Sequence, residues 1–182
     1  MRDLAFVVPV KEFARAKDRL RRAGLDNAEA IARDLAEKVV LACAPGPVIV
    51  LSESPDVTRF AHDVGAEVLV TSARSLNGAV QLAYRSLASR YSRLVVAHGD
   101  LRHPEGLGDY RPGAGVSIFA DHRGLGTNVL ALPTGLDFHF RYGPDSAARH
   151  VRESQRLDVA CHLVLDSPWR FDVDEPSDLD DD

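Results

Sequence analysis

Short, almost wholly apolar runs alternate along this chain with stretches in which apolar positions recur every three or four residues. Residues 4–10 (LAFVVPV) form the first run. Such continuity predicts a strand buried on both faces, as in a parallel sheet. A helix is predicted from an N-cap at Asn27 to about Cys43, with Ile31, Leu35 and Val39 four residues apart and Pro45-Gly46-Pro47 as its stop. Residues 48–51 predict a second strand, residues 55–64 a short helix closed by Gly65, and residues 66–70 a third strand. Val80, Ala83, Tyr84, Leu87 and Ala88 mark one face of a helix over residues 76–91. Residues 94–97 predict a fourth strand that runs into His98-Gly99-Asp100. Strands alternating with helices imply βαβ crossovers and a mostly parallel sheet.

After Asp100 the rhythm changes. Residues 102–113 are rich in Gly and Pro and read as loop. Residues 116–120 and 128–132 predict two strands with no helix between them. Residues 145–154 predict a helix, and residues 160–165 and 169–173 two further strands. Residues 178–182 are an acidic end, too short for a helix by itself. No repeat or linker separates two cores, so residues 1–182 read as one domain.

Composition narrows the function classes. Of the 182 residues 45% are hydrophobic, as in an ordinary globular protein. No apolar run approaches the length of a membrane span, and the first residues lack the pattern of a signal peptide. Two cysteines, Cys43 and Cys161, lie far apart. They predict neither a disulfide framework nor a zinc knuckle and fit a reducing cytoplasm. A net charge of −5 argues against broad electrostatic binding of nucleic acid. A small anionic substrate stays open, because local charge can oppose the net.

In open parallel sheets, ligands bind beyond the carboxyl ends of the strands. Asp100 sits at such an end, with Gly99 allowing close approach of backbone or ligand. A cap or turn aspartate is the plainer reading. Asp172 and Asp174 lie in Phe-Asp-Val-Asp-Glu-Pro. On a strand, residues i and i+2 share a face roughly 6–7 Å apart. Two carboxylates so placed repel unless cations lie between them. Such oxygen donors suit Mg²⁺ or Mn²⁺, which also take substrate phosphates. A solvated acidic tail is the plainer reading here.

Residues 11–22 (KEFARAKDRLRR) carry six basic side chains against Glu12 and Asp18, directly after the first strand. Lys11, Lys17 and Arg19 can grip a triphosphate as charge-assisted donors, or belong to a solvated helix face. The segment is not a Walker loop. Gly124-Leu125-Gly126 precedes a strand pattern, which excludes a dinucleotide fingerprint and leaves a hairpin turn or an anion-binding turn. Arg141-Tyr142-Gly143-Pro144-Asp145-Ser146 opens a helix. Its N-terminus either receives an anion through free N–H groups or is simply capped by Asp145 or Ser146. The seven histidines show no metalloprotease spacing, and no G-x-S-x-G elbow exists. Cys161 and His162 are neighbours on a strand and face opposite ways. Trp169 reads as core.

Together these segments resemble the 2-phospho-L-lactate or phosphoenolpyruvate guanylyltransferases of coenzyme F-420 biosynthesis. The resemblance rests on K-x5-K-x-R-L from Lys11 to Leu20, Ser75-Leu76-Asn77, Gly99-Asp100-Leu101, Gly126-Thr127, R-[FY]-G-P-D-S-x-x-R-H from Arg141 to His150, and Phe171-Asp172-Val173-Asp174-Glu175-Pro176. It implies a three-layer α/β/α sandwich around a mostly parallel mixed sheet, as in nucleotide-diphospho-sugar transferases. It also implies metal ligation, Mg²⁺ or Mn²⁺, by Asp100, Asp172 and Asp174. Lys11, Lys17 and Arg19 match the triphosphate segment, with Lys17 among the catalytic groups. Leu76 and Asn77 match a segment beside the guanine nucleoside, and Thr127, Gly143 and Ser146 positions that receive the small phosphorylated acid. GTP and that acid are the implied partners, and a homodimer is compatible with the family.

The sequence departs from the family pattern at Arg102, where proline is expected, in a short 101–125 stretch, and in stopping soon after Pro176. Two other function classes stay open. One is nucleotidyl transfer with another nucleotide and acceptor, such as a sugar phosphate, 3-phosphoglycerate or a cofactor precursor. The other is a nucleotide-binding module without turnover.

Overall fold

A computed structural model describes residues 2–179. The apolar runs form seven strands: β1 Arg2–Pro9, β2 Val48–Ser52, β3 Glu67–Val70, β4 Tyr91–Ala97, β5 Val116–Ala120, β6 Thr127–Pro133 and β7 Cys161–Val164. They make one sheet in the order β3-β2-β1-β4-β6-β5-β7. Strand β6 runs antiparallel to both β4 and β5, and the other pairs are parallel. Five helices accompany them: α1 Asp18–Arg22, α2 Ala28–Ala42, α3 Pro55–Asp63, α4 Leu76–Leu87 and α5 Ser146–Arg156.

Alternation along β1 shows why the central strands are apolar throughout. Phe6 and Val8 join a core with Ala36 and Val39 of α2 and Phe60 of α3. Ala5 and Val7 join a second core with Val80 and Tyr84 of α4 and Ala147 of α5. Helices thus cover both faces, giving the three layers and mixed sheet that the resemblance implied. The parallel strands β1 to β4 end at one edge of the sheet, where the candidate residues gather.

Several elements differ from the pattern in the sequence. Helix α4 stops at Leu87, and Tyr91, which continues its helical spacing, begins β4. Tyr91 is fully buried and pairs with Arg2, so sheet packing wins over helical periodicity. Residues 169–173 are not a ladder strand. They form a 3₁₀ turn, Pro168–Arg170, and then one isolated bridge, Leu101 to Asp172. Phe171 alternates with the aspartates yet is exposed, so only Val173 of the two apolar positions packs inward.

Asn27 takes the N-cap position of α2 without a side-chain capping bond. The 124–126 turn is a β5–β6 hairpin turn. Asp121 Oδ1 accepts from the Leu125 N–H at 2.8 Å, so that amide is committed within the turn. Residues 102–113 are irregular, as the Gly and Pro content predicts, but not loose. Gly108 donates its N–H to Ala42 O at 2.8 Å. A Cβ there would lie 1.9 Å from Ala44 O, so only glycine permits this approach. The acidic end includes a 3₁₀ turn, Pro176–Leu179, and residues 180–182 lie outside the described residues. Among the described residues no helix is long and apolar enough to cross a membrane.

Candidate active site

Two segments more than seventy residues apart meet at the sheet edge. The Leu101–Asp172 bridge is flanked by bonds from the Arg102 N–H to Phe171 O at 2.8 Å and from the Val173 N–H to Asp100 O at 3.1 Å. Trp169 holds the second segment down. Its ring centroid lies 4.7 Å from that of Phe119, and its indole N–H donates to Glu105 O at 3.0 Å. Asp178 fixes the far side by accepting from the N–H groups of Asp174 and Glu175 at 2.8 and 2.7 Å. Asp178 therefore belongs to the architecture of the segment and not to a solvated tail.

Lys17 stands between the carboxylates. Its ammonium donates to Asp100 Oδ2 at 2.6 Å and to Val173 O, and lies 3.7 Å from Asp174 Oδ1. The Lys17 side chain is only 6% exposed, so this is a desolvated contact and stronger than a surface ion pair. Its backbone is left-handed, with φ of 57°. That conformation is costly for a residue with a Cβ and is tolerated where surrounding contacts hold it. Arg19 pairs outside, 3.6 Å from Asp174 and 3.4 Å from Glu175.

Asp172 is held from behind. Asn128, buried at the start of β6, donates from one amide nitrogen to Trp169 O at 3.1 Å and to Asp172 Oδ1 at 3.3 Å. Burial raises the Asp172 pKa, the Asp100 charge raises it further, and the Asn128 bond works against both. Among the described residues no three His, Cys, Asp or Glu side chains stand as a ready-made ligand cluster. The donor chemistry of Asp100, Asp172 and Asp174 nonetheless fits Mg²⁺ or Mn²⁺: hard carboxylate oxygens on rigidly bridged backbone, with counter-charge already required there.

From Asp100 and Asp174 a cleft of about 760 Å³ extends along the carboxyl ends of β1, β2 and β3. That volume suits a small-molecule ligand. Lys11, Lys17, Leu76, Asp100 and Asp174 line it. Gly99 lies where β4 passes the end of β1, and a Cβ there would come within 3.2 Å of Pro9 O. The expectation of close backbone approach at Gly99 is met.

Arg19, Asp172 and the other predicted residues lie outside the cleft wall. The Asn77 amide is committed to backbone, donating to Tyr142 O at 3.1 Å and accepting from the Tyr142 N–H at 2.7 Å. Thr127 and Ser146 are buried against each other at 3.2 Å, beside His150. Asp145 precedes α5 in a left-handed conformation without a side-chain cap, and Ser146 spends its hydroxyl on Thr127. The capping alternative for this helix is therefore not realised. Gly143 is exposed, with φ of 115°.

Two participants escaped the sequence reading. Asn128 has no local signal, because its partner Asp172 is distant in the chain. His98 lines the cleft and packs against Tyr142 with ring centroids 5.3 Å apart. Its Nε2 is buried without a hydrogen-bond partner among the described residues. Its position two residues before Asp100 was the available clue.

The fold is that of the nucleotide-diphospho-sugar transferases. Accordingly, a protein from Desulfovibrio desulfuricans described as a nucleotide-diphospho-sugar transferase superposes with a TM-score of 0.72 at 17% identity, covering 96% of this chain and 84% of that one. Residues 4–181 match the family described as "Guanylyl transferase CofC like", and the chain belongs to that family. It is 32% identical over 183 residues to the phosphoenolpyruvate guanylyltransferase of Roseiflexus castenholzii, spanning 97% of this chain and 86% of the relative. The protein of the same name from Thermomonospora curvata is 33% identical over 189 residues, spanning 96% and 81%.

Proposed function

We propose that this protein transfers GMP from GTP to the phosphate of a small phospho-acid and releases pyrophosphate, as a step of coenzyme F-420 biosynthesis. Phosphoenolpyruvate is the first candidate acceptor, as in the names of the relatives, and 2-phospho-L-lactate the second. The observation that carries the reading is the cleft joining the basic segment after β1 to Asp100 after β4 and Asp174 beyond the Trp169 turn.

In this mechanism an oxygen of the acceptor phosphate attacks the α-phosphorus of GTP. A new phosphoanhydride bond forms. The bond from the α-phosphorus to its bridging oxygen breaks, and that oxygen leaves with pyrophosphate and the electron pair. An ionised phosphate is already a nucleophile, so no protein base is needed. Lys11, Lys17 and Arg19 neutralise the triphosphate and the charge growing on the leaving group. Asp100, Asp172 and Asp174 would hold Mg²⁺ or Mn²⁺, which would supply charge neutralisation to the reacting phosphates. Asn128 fixes the orientation of Asp172. Gly143 and Ser146, at the N-terminus of α5, and Thr127, which opens β6, would receive the acceptor's anion by exchanging the Ser146–Thr127 hydrogen bond for bonds to it. Free, widely separated Cys43 and Cys161 suit a reducing compartment such as the cytoplasm.

The test is pyrophosphate release from GTP and Mg²⁺ with phosphoenolpyruvate, 2-phospholactate or 3-phosphoglycerate. Release is expected with one of the first two. Release with none of the three would end this assignment.

A further inference from the structure

We infer that Glu53 is the group that selects guanine, its carboxylate accepting from the N1–H and 2-amino groups of the base. The inference rests on the guanylyl-transfer reading and adds a specificity-determining residue to it.

Glu53 follows β2 and lines the same cleft as Asp100 and Lys17. Strands β2 and β4 flank β1 in the sheet, so their ends lie two strand spacings apart, about 10 Å. A nucleotide bridges such a span from α-phosphate to base. With its phosphates over the segment after β1, its base reaches the end of β2.

Four acids line this cleft, and three are already paired. Glu12 faces Arg15 at 3.4 Å, and Asp100 and Asp174 share Lys17. Glu53 is exposed and has no hydrogen bond or ion pair among the described residues. Three neighbouring hydroxyls are turned to their own loops: Ser52 accepts from the Ser54 N–H, Thr71 from the Ala73 N–H and Ser75 from the Gly78 N–H. Glu53 is thus the strongest uncommitted acceptor at this end. Val10, Leu51, Leu76 and Ala79 line the cleft with apolar surface for a flat ring.

Base chemistry decides what such an acid reads. Guanine offers two adjacent donors on its pairing edge, and a carboxylate offers two parallel acceptors. Adenine and cytosine each place a ring acceptor beside their amino donor. Uracil flanks its one donor with two acceptors. Each of these sets a lone pair against the carboxylate, so the same group attracts guanine and repels the rest. Arg74, lining the same end without a partner among the described residues, complements the O6 acceptor.

The experiment compares GTP, ITP, ATP and 2′-deoxy-GTP in wild type, Glu53→Ala and Glu53→Gln. Calorimetric Kd values and, with phosphoenolpyruvate, kcat/KM for pyrophosphate release are measured. ITP lacks only the 2-amino group, so wild type should prefer GTP over ITP by about tenfold or more, the range of one charge-assisted hydrogen bond. Glu53→Ala should bring that ratio near one. Glu53→Gln presents one acceptor and one donor, which match adenine, and should lower the GTP-to-ATP preference by about tenfold or more. A GTP-to-ITP ratio unchanged by Glu53→Ala overturns the inference. So does a loss confined to discrimination against 2′-deoxy-GTP, which would put Glu53 on the ribose. Because the Kd ratios need no turnover, absent pyrophosphate release would count against the proposed reaction and not against Glu53.

Discussion

At the scale of single residues, the site depends on groups that fix one another. Asn128 holds one Asp172 oxygen and the Trp169 carbonyl together. Asn128→Leu keeps the volume but leaves two acceptors without their donor. It should cost roughly 1–3 kcal/mol of stability and lower kcat more than it raises KM for GTP. Asp100→Asn and Asp172→Asn should instead reduce turnover by at least about a hundredfold with the fold retained, judged by pyrophosphate release and circular dichroism. Substantial turnover in both would remove these carboxylates from the chemistry. Lys17 and Asp100 could be named from sequence because each lies in a segment that follows an apolar strand, where parallel sheets place ligands. Their direct contact could not, since it depends on a left-handed backbone at Lys17. Asn128 was illegible for a different reason: an asparagine inside an apolar run carries no local sign of a partner 44 residues away.

Among the elements, α5 shows how a helix start is held by titratable groups. The Arg141 N–H donates to His150 Nε2 at 2.9 Å, which leaves the proton on Nδ1, 3.0 Å from Thr127 Oγ1. Burial pushes the His150 pKa from 6.5 down to about 4, helped by repulsion from His98 and opposed by Glu153. A second proton would also turn Nε2 into a donor against the Arg141 N–H. The folded state therefore favours neutral His150. This contribution is complete above pH 6.5 and is lost as pH falls toward 4, by roughly 3 kcal/mol. Glu153, also on α5, works lower. Burial would raise its pKa, but bonds from Arg156 and His139 bring it from 4.5 to about 2. Its contribution is present above 4.5 and lost below. Urea midpoints should fall from pH 7 to pH 4.5 before the carboxylate phase begins, and a flat profile over that range would contradict this account. Helix α5 was legible from Gly-Pro-Asp-Ser at its start, as β1, β2 and β4 were from nearly continuous apolar runs. Residues 169–173 misled because alternation is shared by a half-buried strand and a bridged loop. Only the exposed ring of Phe171 tells them apart.

For the whole molecule, the cleft joins the ends of β1, β2, β3 and β4 through their loops. A ligand filling it stabilises all of them at once. GTP with Mg²⁺ at a hundred times its Kd should add about 2.7 kcal/mol and raise Tm by roughly 5–10 °C. ATP at the same concentration should raise it less, and equal shifts would argue against base selection. The sheet order β3-β2-β1-β4-β6-β5-β7 places the first half of the chain on one side of β4 and the second half on the other. One consequence concerns time. On the ribosome, Lys17 and Asp100 emerge long before residues 171–174, whose carbonyl, amide and carboxylates complete their surroundings. The nucleotide-facing half can assemble early, but the centre of the chemistry closes only when the last strand and the Trp169 turn have docked. Until then, the nascent protein holds a phosphate-binding edge without the means to use it.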